Sequence, residues 1–152
     1  MEKFNSIDEI LDYAIQSEQD AVDFYTNLAE KASNIAVKKI FLKNADEEKV
    51  HKIKLEKVKA EGVFAEEFKG GVPDLKISDY IVAKPPSKID DYADALRLAM
   101  HREKGAYKLY TVLGESTNNS DLKKLFARLA EEEASHKLKF EIEYDDYVLK
   151  EN

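Results

Sequence analysis

Residues 131–136 read Glu131-Glu132-Glu133-Ala134-Ser135-His136, and residues 46–51 read Asp46-Glu47-Glu48-Lys49-Val50-His51. Both stretches lie in segments with helical periodicity, where residues i and i+3 share a face. Glu133 and His136 therefore point the same way, as do Glu48 and His51. A charged helix face normally meets water, but the surrounding apolar residues place these pairs elsewhere. One apolar series runs Phe41, Ala45, Leu55 and is interrupted by Glu48 and His51. Another runs Leu129, Phe140 and is interrupted by Glu133 and His136. Two further stripes carry a single interruption each, Glu18 between Ala14/Ile15 and Ala21/Val22, and Glu103 between Met100 and Ala106/Tyr107. Six polar side chains are thus expected to face inward, and Glu131 and Glu132 to face solvent.

Working outward, the periodicity predicts four helices. The first covers about 6–32, with Ser6 and Glu9 spaced as a capping box. The second covers 35–61 and stops at Gly62. The third follows Pro85-Pro86 with Ser87 as N-cap, and the fourth begins near Ser120 after Thr117-Asn118-Asn119. Between the second and third helices the chain needs about 25 residues, where bundle connections usually take about 2–8. The expectation is all-α: one domain over 1–152, a four-helix bundle with a hairpin at 6–61, a long crossover at 62–87 and a hairpin at 88–148. Only five glycines and three prolines are available to interrupt helices, which agrees.

The two hairpins repeat. A shift of 85 places residues 15–57 on 100–142 without a gap, bringing Glu18 onto Glu103, Tyr25 onto Tyr110, Phe41 onto Phe126, Glu48 onto Glu133 and His51 onto His136. Glu18 and Glu48 are equidistant from Ser33, and Glu103 and Glu133 from Asn118, both at expected turns. Each arm is about fifteen residues, roughly 22 Å of helix. Folding each hairpin sets its two glutamates level, and packing the hairpins face to face would bring all six side chains into one layer. Four buried carboxylates would carry about −4 of charge, and even one uncompensated buried ion costs several kcal/mol. Two divalent cations neutralise that charge and use the lone pairs; carboxylate with imidazole suits iron or manganese, with zinc as an alternative.

Composition narrows the function further. The chain has no cysteine, so thiolate metal sites, iron–sulfur clusters and thiol nucleophiles are excluded. A net charge of −7 argues against nucleic acid. No apolar run reaches transmembrane length, and the start MEKFNSIDEI lacks a signal-peptide pattern, so the expectation is no membrane and a cytoplasmic setting. His101 falls off the apolar stripe and is expected at the surface.

The four residues Glu18, Glu48, Glu103 and Glu133 with His51 and His136 make the chain resemble the ferritin-like di-iron carboxylate family, and within it the rubrerythrins, as a stand-alone helical domain. That resemblance implies two iron ions. Glu48 and Glu133 would bridge them, Glu18 and Glu103 would each bind one terminally, and His51 and His136 would give nitrogen ligands. Tyr25 and Tyr110 would donate hydrogen bonds to the ligating carboxylates. It implies an oxidoreductase that reduces hydrogen peroxide or dioxygen in oxidative-stress defence, and a homodimer. An iron-binding ferroxidase or storage role, or a non-catalytic interaction module, are the other readings. The sequence departs from rubrerythrins in two ways. It lacks the cysteine-ligated rubredoxin domain, so electrons must come from a separate donor protein. It also carries Ala106 where the family has an additional glutamate.

Overall fold

The computed structural model describes residues 7–32, 34–62 and 92–151. Among them are four α-helices: α1 (Ile7–Lys31), α2 (Ile35–Glu61), α3 (Tyr92–Ser116) and α4 (Ser120–Glu151). The expected Ser6 capping box, the Ser33 turn centre, nearly all of the 62–87 crossover and the Ser87 cap lie outside the described residues. The chain divides into two compact units, one holding α1 and α2, the other α3 and α4.

In the first unit α2 begins because Asn34 has extended backbone and its side chain accepts from the N–H groups of Ala36 (2.8 Å) and Val37 (3.4 Å). The helix ends at Gly62, whose φ of 69° lies in the left-handed region that favours glycine and whose N–H reaches the carbonyls of Val58 and Lys59. The apolar seam of α1 and α2 consists of Leu11, Ala14, Tyr25 and Leu28 with Phe41, Ala45, Leu55 and Val58, all buried. Ile10 and Phe24 are buried as well, so the apolar face of α1 is wider than the simple stripe suggests.

The second unit repeats this construction. Asn119, 85 residues after Asn34, caps α4: its side chain accepts from the N–H groups of Asp121 (3.0 Å) and Leu122 (3.1 Å). Leu96, Ala99, Tyr110 and Leu113 face Leu122, Phe126, Leu129 and Phe140. Near the turn the two helices come close at Gly114, where an added Cβ would lie 3.3 Å from Phe126 Cβ. Tyr107, expected on the inward stripe beside Ala106, is instead 42% exposed. On this turn of α3 Gly105 is buried and Ala106 half-buried, so the i+3/i+4 ambiguity of the stripe is resolved away from Tyr107. Because each cap satisfies otherwise orphaned helix N–H groups, Asn34→Ala and Asn119→Ala are each expected to lower stability by about 1 kcal/mol, with the double variant additive in urea unfolding.

Candidate metal centre

Each hairpin assembles a triad from one residue of its first helix and two of its second. In the first, Glu18 comes from the middle of α1, and Glu48 and His51 from adjacent turns of α2. Their exposures are 2%, 2% and 1%, and one ligand atom from each lies within 4.8 Å of the others. His51 Nδ1 is 3.4 Å from Glu48 Oε1 and 3.7 Å from Glu18 Oε1. In the second, Glu103 of α3 meets Glu133 and His136 of α4, all 1% exposed and again within 4.8 Å. His136 Nδ1 is 3.5 Å from Glu103 Oε2 and 3.8 Å from Glu133 Oε1. The two triads thus have the same composition and the same convergence on Nδ1.

These separations suit donors around a cation. Nitrogen and oxygen ligands about 2.1 Å from a metal stand roughly 3.0–3.8 Å apart for angles between a right angle and about 130°. A direct N–H···O bond would close to about 2.7–3.2 Å. The donor set, two carboxylate groups and one imidazole in each hairpin, fits iron or manganese.

Apolar and aromatic residues enclose both triads. Two helical turns toward the hairpin turn, Tyr25 stacks on Phe41 (centroids 6.3 Å, 11°), and Tyr110 stacks on Phe126 (6.4 Å, 15°). One turn beyond the histidines, Leu55 and Phe140 are fully buried. The repeat therefore extends from the core and the caps to the aromatic packing beside the site.

Burial has an electrostatic consequence at Glu18. Loss of water raises its pKa from 4.5 to about 8, the Glu48 carboxylate beside it pushes the same way, and His51 opposes both. Without a cation this triad holds a proton at neutral pH.

The structure also shows where sequence reasoning stopped short. Asn44 is buried (3% exposed) one turn before Glu48, where the other hairpin has Leu129. His101 is exposed, as expected, and so is Glu131, whereas Glu132 is half-buried beside Arg128.

Comparison with known proteins places the chain. The sequence model of the Rubrerythrin family matches residues 9–144. The chain belongs to the rubrerythrin family. It is similar to a hypothetical protein from Pyrococcus furiosus, at 30% identity over 92% of this chain and 89% of that one, with a TM-score of 0.71. It also shares the fold of a Thermotoga maritima protein assigned to the ferritin-like diiron-carboxylate proteins, with a TM-score of 0.80 at 24% identity over 96% of this chain and 99% of that one. No curated protein matches. The fold class is all-α and ferritin-like. Among the described residues no helix is long and apolar enough to cross a membrane.

Proposed function

We propose that the chain is a non-haem di-iron oxidoreductase reducing hydrogen peroxide or dioxygen, with the residues of the two triads as its iron ligands. The observation that carries this reading is the duplication of a buried Glu/Glu/His set, with matching Nδ1-to-carboxylate spacings, in a rubrerythrin-family chain. Core packing explains the repeated apolar residues; it gives no reason to repeat four buried carboxyl groups.

In this reading Glu18, Glu48, Glu103 and Glu133 would give the carboxylate ligands of two iron ions, and His51 and His136 the nitrogen ligands. When bound, the iron pair supplies two electrons to the oxidant. The protein's part is to fix the donors and to keep water away. Buried carboxylates hold the pair in its charged surroundings, and the Tyr25–Phe41 and Tyr110–Phe126 stacks close the turn-side end. Tyr25 and Tyr110 orient the carboxylates through hydrogen bonds. Reduction of one hydrogen peroxide to two waters consumes two electrons and two protons. The electrons return from a separate donor protein. A homodimer working in the cytoplasm completes the proposal.

Anaerobic loading with Fe(II), followed by stopped-flow mixing with hydrogen peroxide or with dioxygen, tests it. The expected result is oxidation of two iron ions per chain, with two electrons consumed per peroxide. A chain that binds no iron, or binds it and leaves both oxidants untouched, would sink the proposal. Release of a mineralised iron core by a large hollow assembly would favour storage instead.

A further inference from the structure

The repeat that matches the cores of the two hairpins reverses the charge on one outer face. On α3, Arg97, His101, Lys104 and Lys108 stand at i, i+4, i+7 and i+11, a single stripe. The positions 85 earlier on α1 are Asp12, Gln16, Gln19 and Asp23. With histidine neutral, two acids on α1 are replaced by three bases on α3. The α1 stripe is satisfied within its own hairpin: Lys59 donates to Asp12 (2.5 Å), Lys52 to Gln19 (2.7 Å), Gln16 to Asp20 and Gln19 to Asp23. On α3, Arg97 pairs with Asp94 and lies over the Tyr144 ring. Among the described residues, Lys104 and Lys108 form no ion pair.

Beside these lysines a cleft of about 400 Å³ runs along α3 and α4, lined by Lys104, Tyr107, Lys108, Lys137, Leu138 and Glu141. Lys137 is paired with Glu141. Tyr107 and Leu138 are 42% and 56% exposed, whereas Val22, the repeat partner of Tyr107, is only 6% exposed. The cleft thus has apolar side chains flanked by lysines, on a chain whose net charge is −7. Such a local reversal of sign steers acidic partners to one place and repels them elsewhere. Its location is specific too. Lys104 follows Glu103 and Lys137 follows His136 in sequence, so the cleft backs onto the second triad, about one helix diameter or 10 Å away.

We propose that this cleft is the docking site of an acidic electron-transfer protein that supplies the metal centre one electron at a time. The inference rests on the oxidoreductase reading above. Each docking event oxidises one carrier by one electron; two carriers and two solvent protons balance each hydrogen peroxide reduced to two waters. A net charge of −7 disfavours nucleic acid, which leaves a protein surface to meet Tyr107 and Leu138.

The probe is a plant-type [2Fe–2S] ferredoxin, a low-potential one-electron carrier, chosen acidic. In the iron-loaded protein, the double variant Lys104→Glu/Lys108→Glu is expected to slow ferredoxin-driven peroxide reduction at least tenfold at low salt and to flatten its salt dependence. Turnover driven by reduced methyl viologen should be unchanged. Binding of oxidised ferredoxin, followed by calorimetry, should weaken in parallel, and Tyr107→Ala should weaken it without altering the salt dependence. Wild-type ferredoxin affinity and rate in the double variant would overturn the docking site. So would tight binding of single-stranded DNA to the stripe that leaves ferredoxin binding untouched. If methyl viologen sustains no peroxide reduction in the wild type, the oxidoreductase reading itself fails, and the docking role falls with it.

Discussion

Metal-free protein is expected to lose stability as the pH rises from about 4.5 to about 8. The cause is Glu18, whose pKa in the folded chain is pushed up to about 8 from 4.5, first by burial and then by Glu48. Between those values the native state holds a proton that the unfolded state has released, so each rise in pH favours unfolding. The contribution is fully present below pH 4.5 and lost once the pH has passed the folded value. Its size is several kcal/mol, and the melting temperature should fall by roughly 10 °C across the window. Thermal melts of chelator-treated protein at closely spaced pH values measure this. Glu18→Gln, which cannot ionise, should flatten the slope; an unchanged slope in that variant would assign the effect to another group. Metal uptake must displace the same proton, so affinity should rise with pH up to about 8, with proton release visible in weakly buffered calorimetry.

The second large effect is a reversal of sign. Glu48→Gln should destabilise the metal-loaded protein and stabilise the metal-free one. With metal present, losing a ligand should weaken binding by more than about 100-fold, because even outer partners of ligands cost about 10–100-fold. A ligand held at a thousand times its dissociation constant stabilises the native state by about 4 kcal/mol, which the variant forfeits. Without metal, the substitution removes the negative neighbour that disfavours a charged Glu18. Metal analysis per chain, together with melts at pH 8 with and without Fe(II), separates the two halves of the effect. If Glu48→Gln lowers both melting temperatures equally, the carboxylate serves packing and not a cation.

Much of this was legible in the sequence because α-helices translate spacing into direction. Glu48 and His51 share a face, and their neighbours Ala45 and Leu55 say which face it is. The bounds of α2 follow from Gly62 and from Asn34, although the capping role of Asn34 emerges only with its partner Asn119. Tyr107 and Phe24 were harder. Adjacent residues on a helix stand 100° apart, so a stripe that alternates i+3 and i+4 leaves its edge positions undecided until the packing partner is known. Asn44 resisted for a different reason: a polar residue on a core stripe looks like a boundary unless burial is measured. Charge reversal between Asp12/Asp23 and Arg97/Lys108 is readable in the aligned repeat, but its meaning depends on the cleft beside Tyr107.

The short spacing between α1 and α2, and between α3 and α4, carries a consequence for how the protein is made. Each triad joins residues only about 30 positions apart, within one hairpin. Closing such a loop loses little chain entropy, and local helical contacts form quickly. Half of the ligand set can therefore be in place on the ribosome as soon as the first hairpin has emerged, long before the remaining half is synthesised. A metal ion meeting a nascent chain would find a partly formed chelator, and the order of synthesis itself would decide which triad is filled first.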